Sequence, residues 1–506
     1  MPARSPSIPL LALSLLVLGA GAARAVPPPP TERADRFGVY YWGADSSAWP
    51  GSPDRLRWGA GKVAEIGSRT IRIYLGPGDS YDVNPRITPD VQYLQRTAAS
   101  RSYDSLFRDP RFRTYLLTVF TSTGSQSPYK AVRNQIARLG EYLLGEPAYA
   151  GKTFILLNWE GDNAIGEVPP GSPQWDNLIR RTEARAAGVR DARTRRPQSS
   201  ARLYSGLEFN FVERDGVRCG DGEVRCVVDT VAPQVSVDYY SYSAWQSLDV
   251  SRQRPGATPA GTLRDDLEFA LYKIRQRRPE VGEENLIVGE IGFARSIYSE
   301  CVAARLLEDL VHSFESPRAF RAAYVIYWQA LDNGWRGGRR TPCVGDLRDE
   351  GDPEGQIDWL LHGLFRGRDA RMTLPGKALQ AFLRGQTPPP SPTCPSVDPQ
   401  GVADSFTDGS PFLHPGGPIT IAGRGFGQRG SRVLILQAHD RQKEDPNVLL
   451  ELRGSPDDAG WSESPERITA TLPKEGLHDG CALVWVTTRE GVESNAQLVR
   501  IRPEGD

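Results

Sequence analysis

Histidine and methionine are scarce in this 506-residue chain, with five and two copies, and neither sign of charge prevails, at 61 Lys and Arg against 62 Asp and Glu. Near-neutrality gives no electrostatic basis for a nucleic-acid partner, and the charges are dispersed rather than blocked. There is no C-x-x-C, and no two histidines are spaced as ligands, so no zinc site is indicated. No metal or organic cofactor is expected. Beyond the N-terminus there is no apolar run of about 18 residues, which argues against a membrane-spanning helix.

What is present begins with a leader. Arg4 supplies a positive start, Ile8 to Ala20 is apolar apart from Pro9, Ser14 and Gly19, and Ala23-Arg24-Ala25 is an A-x-A cleavage signal. Residues 1–25 therefore read as a secretory signal peptide cut after Ala25, and the protein is expected to be secreted or periplasmic. Cleavage leaves 481 residues and removes Arg4 and Arg24, so the net charge goes from −1 to −3. Six cysteines in an exported chain favour disulfides, for which fifteen full pairings exist. Cys219 with Cys226, Cys301 with Cys343 and Cys394 with Cys481 are the pairings expected from sequence proximity and shared region.

Two Pro-rich stretches divide the chain: "VPPPPTERAD", an extended leader over 26–36, and "QTPPPSPTCP", a stiff linker over 386–395. Between them, over 37–385, eight short apolar runs recur about every 33 to 50 residues. They start at Phe37, Thr70, Thr114, Thr153, Arg202, Val235, Leu286 and Ala323. Helix-patterned segments separate them: Val132, Ile136, Leu139 and Leu143 share one face, as do Leu263, Leu267, Leu271 and Ile274 behind a capping pair of Thr262 and Asp265. A further helix starts at Trp175. Near-continuous apolar strands alternating with helices imply a parallel sheet covered on both faces, and eight such units fit a (β/α)₈ TIM barrel. An open doubly wound sheet is the alternative, although "YYWGADSSAW" after the first strand is no Gly-rich phosphate loop.

After the linker, over 396–506, short strand-like runs separated by turn residues read as a small all-β immunoglobulin-like sandwich. "PGGPITIAGRGFG", with Gly423 to Gly427 at its end, and "GVESNAQLVRI" resemble an IPT/TIG domain, which implies a non-catalytic module.

In a (β/α)₈ barrel, functional groups gather at the C-terminal strand ends. The fourth run ends "LLNWEGD", which delivers Asn158, Glu160 and Asp162, and the seventh ends "IVGEIG", which delivers Glu290. Strands 4 and 7 face each other across an eight-stranded ring, so Glu160 and Glu290 can form the carboxylate pair that a retaining glycosidase needs. Here the chain resembles the clan A glycoside hydrolases over roughly Phe37 to Trp335. That resemblance implies Glu290 as nucleophile, Glu160 as acid/base, Arg72 beside the nucleophile, Tyr240 or Tyr242 as its hydrogen-bond donor, and Trp328 as an aromatic platform under the sugar. It departs from the clan pattern in one respect: Trp159 separates Asn158 from Glu160, leaving Asp162 as a rival acid/base and Asn158's sugar contact open. Glu208 and Asp238 are lesser carboxylate candidates.

Tyr40, Tyr41 and Trp42 end the first run, and Trp49, Trp159, Trp245 and Trp335 fall in other loops on the same side, flat rings suited to stacking on pyranose C–H faces. The expected partner is a poly- or oligosaccharide. The competing reading is a non-catalytic carbohydrate-binding or surface interaction protein on a degenerate barrel, since fold alone never establishes activity.

Overall fold

The computed structural model describes residues 26–42, 54–76, 92–121, 129–248 except 167, 257–332 except 296, 361–387 except 368, 394–404, 412–427, 430–437, 448–454, 462–477 and 480–501. Eight parallel strands close into a barrel: β1 (Phe37–Tyr41), β2 (Thr70–Leu75), β3 (Thr114–Val119), β4 (Thr153–Leu157), β5 (Arg202–Phe209), β6 (Tyr239–Ser243), β7 (Leu286–Ile291) and β8 (Tyr324–Trp328), each hydrogen-bonded to its sequence neighbours and β8 to β1.

The strands read as unbroken apolar runs because both faces are buried. Leu116, Ile155, Leu157, Ile287 and Ile326 fill the interior, while Ile71, Ile73, Leu117, Leu156 and Val288 pack outward. Each such side chain contributes about 1.5–3 kcal/mol on burial. The expected apolar faces seal this outer layer from helices Tyr129–Gly145 and Pro259–Arg275. The second helix starts earlier than expected: Thr258 caps it by accepting from the Gly261 N–H, with Pro259 at the first position, instead of Thr262 and Asp265. Helix Pro173–Arg195 includes Trp175.

Where an extended leader was expected, Arg33–Arg36 forms a helical turn tied to the barrel. Arg36 donates to the carbonyls of Phe314, Phe320 and Ala322, and Arg33 pairs with Glu315. Cys219 and Cys226 are bonded as expected. Cys394 is bonded to Cys301, so neither the Cys301–Cys343 nor the Cys394–Cys481 pairing forms; Cys343 itself lies outside the described residues. Pairing within a shared region failed here because helix Glu300–Ser313 lies beside the start of the C-terminal region.

That region comprises β9 (Ser396–Asp404), β10 (Phe412–Leu413), β11 (Pro418–Arg424), β12 (Arg432–Gln437), β13 (Val448–Arg453), β14 (Ser462–Glu463), β15 (Arg467–Thr471), β16 (Gly480–Thr487) and β17 (Gln497–Ile501). They form a four-stranded sheet, β9-β11-β15-β14, and a five-stranded sheet, β10-β17-β16-β12-β13, antiparallel apart from the short β10–β17 pair. Alternate residues such as Ile419, Ile421 and Ile468, with Val433, Ile435, Val484 and Val486, form a core separate from the barrel's. On the outer face of the five-stranded sheet, Leu434, Leu483 and Trp485 pack with Leu361 of the barrel region. Among the described residues, no helix is long and apolar enough to cross a membrane.

Candidate active site

The seventh strand explains its own glycines. A Cβ on Gly289 would lie 2.2 Å from the Ser241 hydroxyl and 2.6 Å from a Glu208 carboxylate oxygen, and one on Gly292 would lie 2.3 Å from the Trp328 carbonyl. The backbone on either side of Glu290 is thus pressed against the neighbouring strands, and the carboxylate enters the barrel mouth from there.

Arg72, at the centre of β2, is fully buried and serves two carboxylates. Its guanidinium binds both Glu208 oxygens at 2.7 Å, donates to the Gly289 carbonyl at 3.0 Å and lies 3.2 Å from Glu290 Oε1. The Tyr40 ring lies 4.4 Å from it. Burial alone would depress the Arg72 pKa, but the Glu208 and Glu290 charges outweigh it and raise the value, so the cation is secure. The expected place of Arg72 beside Glu290 is what the structure shows; the larger part of its charge meets Glu208, which sequence reading ranked low.

Glu160 follows β4 after the inserted Trp159. Its backbone has φ 20° and ψ 88°, a sparsely populated conformation that costs about 1–3 kcal/mol and needs external support. Glu208 Oε1 supports it by accepting the Glu160 N–H at 3.3 Å. Trp159 is left 38% exposed. The carboxylate accepts from Asn163 Nδ2 at 2.8 Å and from the Ser243 hydroxyl at 3.0 Å. The same Ser243 hydroxyl lies 3.2 Å from Glu290 Oε2, to which Trp245 Nε1 also donates at 3.2 Å. Those two carboxylate oxygens are therefore at most about 6.2 Å apart.

The other candidates separate by strand phase. Ser241 and Ser243 of β6 point inward, so Tyr240 and Tyr242 point into the outer layer. Tyr240 donates to the Val235 carbonyl, Tyr242 shares a hydrogen bond with Ser247 and stacks on Phe209, and the aromatic donor to Glu290 is Trp245. Tyrosines and serines alternate over Tyr240 to Ser243, with both faces of the strand buried. Asn158 spends both ends of its amide on β5: Nδ2 donates to the Glu208 carbonyl, and Oδ1 accepts the Glu208 N–H. Asp162, the rival acid/base, is buried and accepts backbone N–H groups from Asn210, Phe211 and Val227, which brackets loops together; burial raises its pKa and these hydrogen bonds oppose the rise. Asp238 pairs with Arg193 and accepts the Ser205 N–H.

Trp328 lies at the mouth with Tyr40 edge-on at 4.7 Å, Trp42 at 5.8 Å and Trp245 at 6.4 Å, and the peptide between Trp328 and Gln329 is cis. Trp49 and Trp335 lie outside the described residues.

Burial raises the pKa of both Glu160 and Glu290. For Glu160 the negative Glu208 adds to this, against Asn163, Ser243 and Arg72. Glu290 is raised well above the usual carboxylate range: Arg72 opposes the burial effect, while the neighbouring Glu160 and Glu208 charges reinforce it. One guanidinium stands among three carboxylates, so burial and mutual repulsion favour the protonated form of the Glu160–Glu290 pair. The stronger rise falls on Glu290, while Arg72 and Trp245, both directed at Glu290, favour its charged form. Among the described residues, the grouping compact enough for a metal is Cys219, Cys226 and Asp229, whose sulfurs form a disulfide.

No family model matches the chain, and no curated protein matches it. Among solved structures it is similar to a GH5_18 protein from Streptomyces cattleya in complex with Manb1-4GlcNAc, at 14% identity and a TM-score of 0.45, covering 71% of this chain and 83% of that one. It is similar to a GH5_18 protein from Bifidobacterium longum subsp. infantis at 15% identity and 0.44, covering 72% and 81%. The endo-beta-1,4-mannanase from Thermotoga petrophila follows at 11% identity and 0.31, covering 94% and 99%. All three are glycoside hydrolases; at these values the likeness carries no argument about the reaction, which rests on the side chains at the barrel mouth.

Proposed function

We propose that the protein is an exported glycoside hydrolase that cleaves a poly- or oligosaccharide with retention, using Glu290 as nucleophile and Glu160 as acid/base. The observation that carries the reading is the Ser243 hydroxyl, within hydrogen-bond reach of both carboxylates from strands on opposite sides of the ring. The resulting upper limit of about 6.2 Å between one oxygen of each carboxylate is compatible with the 5–5.5 Å separation of retaining enzymes.

In the first half-reaction, a Glu290 carboxylate oxygen bonds to the anomeric carbon while the glycosidic oxygen leaves with the proton from Glu160. In the second, the Glu160 carboxylate takes a proton from water. The water oxygen bonds to the anomeric carbon, and the ester to Glu290 breaks, restoring both groups. Arg72 supports the Glu290 charge before attack and after release. The resemblance to clan A implies a β-linkage. The barrel over 37–385 would carry the reaction, and the region over 396–506, which resembles an IPT/TIG module, would support it.

Glu290→Ala should lower kcat by about 10⁴-fold or more while the fold persists. Azide should restore turnover of an activated β-glycoside and release an α-glycosyl azide. Turnover equal to wild type without azide would end the proposal.

A further inference from the structure

We infer that Glu493, in the β16–β17 loop of the sandwich, is a positioning residue for the active site, which makes the sandwich part of the catalytic unit. The inference rests on the glycosidase reading above.

Glu493 is 2% exposed, and its carboxylate lies between two arginines of the barrel region. Arg295, in the segment after β7, pairs with it, and Arg366 Nε is 3.6 Å away. Arg295 also binds both Asp332 oxygens at 2.7 Å and donates its backbone N–H to the Leu361 carbonyl. Asp332, in the segment after β8, accepts the N–H groups of Gly363 and Gly367 at 2.8 and 3.0 Å. Glu493 therefore reaches the 361–367 segment through Arg366 within it and through Arg295 and Asp332 beside it.

That segment presents His362, whose ring centroid lies 5.1 Å from that of Trp245, the donor to Glu290. Tyr327 fixes the same residue by donating to the His362 carbonyl. The backbone of the sandwich loop is held as well: Glu493 N–H donates to Glu300 Oε2 at 2.9 Å, Glu300 N–H donates to the Glu493 carbonyl at 2.9 Å, and Arg366 donates to the Gly491 carbonyl.

Docking alone does not call for this carboxylate. The apolar contact of Leu361 with Leu434, Leu483 and Trp485, together with the Cys301–Cys394 disulfide, already joins the two regions. What Glu493 adds is a fixed position for the arginines that set the wall behind Trp245.

The test uses the full chain with its disulfides intact and a panel of p-nitrophenyl glycosides. Glu493→Ala and the milder Glu493→Gln should lower kcat by tenfold or more at temperatures where the variants remain folded. They should also move the acid limb of the kcat/KM profile to higher pH, because Glu290 loses a well-placed Trp245 donor. Leu483→Ala, which weakens the apolar contact alone, should lower Tm with kcat and the acid limb unchanged. A Glu493→Gln enzyme with lower Tm but wild-type kcat and acid limb overturns the inference, and so does an equal catalytic loss in Leu483→Ala. Amide exchange separates this inference from the reaction reading. Even if the wild-type chain hydrolyses no glycoside, Gly363 and Gly367 should exchange tenfold or more faster in Glu493→Gln, and unchanged exchange overturns the positioning role.

Discussion

The barrel mouth and the seam between barrel and sandwich each bury a cluster of arginines and carboxylates, yet the two are composed differently. At the seam, Arg295 and Arg366 face Asp332, Glu300 and Glu493, and backbone N–H groups of Gly363, Gly367, Leu374 and Glu493 take up further oxygens. At the mouth, Arg72 is the one guanidinium described among Glu160, Glu208 and Glu290, and Ser243, Asn163 and Trp245 offer neutral donors. Saturation fixes a cluster in one charge state, because removing a partner from a buried pair costs about 3–5 kcal/mol. A shortage of cations instead raises the pKa of the carboxyls it leaves uncompensated. Within the mouth the same contrast recurs: Glu208 is saturated by Arg72, Ser241 and the Glu160 N–H, whereas the Glu160 carboxylate accepts from the neutral Asn163 and Ser243.

The sharpest way to break this contrast is Glu160→Gln. Turnover of glycosides with poor leaving groups should fall by about 10³-fold, with far smaller losses for activated aryl glycosides. The alkaline limb should disappear: the acid acts protonated, so activity normally falls as pH rises through its raised pKa, and glutamine has no such proton. The linkage sign follows from the same shift. The folded chain holds this proton more tightly than the unfolded chain, so stability declines as pH climbs past the ordinary glutamate range, and thermal melts of the variant should show a smaller decline, that of Glu290 remaining. Equal losses on both substrate classes would move the acid role elsewhere.

Glu208→Gln should cost about 10- to 100-fold, as expected where support for the Glu160 backbone and the Arg72 geometry is weakened. Glu208 raises the pKa of both Glu160 and Glu290, so losing its charge should move both limbs of the pH profile toward acid; immobile limbs would reduce Glu208 to packing. Asp162→Asn should lower unfolding free energy by about 2 kcal/mol in denaturant titration, with the limbs of the pH profile in place. Tyr240→Phe removes a hydrogen bond in the outer layer and should cost about 1 kcal/mol or less, with kcat within about twofold.

Much of the barrel was legible because both faces of its strands are apolar, and β2 and β5 occupy the runs that start at Thr70 and Arg202. The same property hid the phase. In "VSVDYYSY" both faces are buried, β6 begins only at Tyr239, and which tyrosines turn inward is set by pairing with β5 and β7. Glu160 and Glu290 were legible as strand-end carboxylates. The Arg72–Glu208 pair, 136 positions apart in sequence, was not, nor was the Trp245 donor, because these contacts exist only once the ring is closed. The Cys301–Cys394 link was missed for a related reason, since region boundaries drawn along the chain do not limit what folds beside what.

A serine hydroxyl has a single hydrogen, so Ser243 cannot donate to Glu160 and Glu290 at the same instant. In the proposed cycle the negative charge moves from one of these carboxylates to the other, and a rotation about one C–O bond lets the hydrogen follow it. Ser243 therefore works as a swivel between the two halves of the reaction, and alanine there should slow the formation and the breakdown of the glycosyl ester alike.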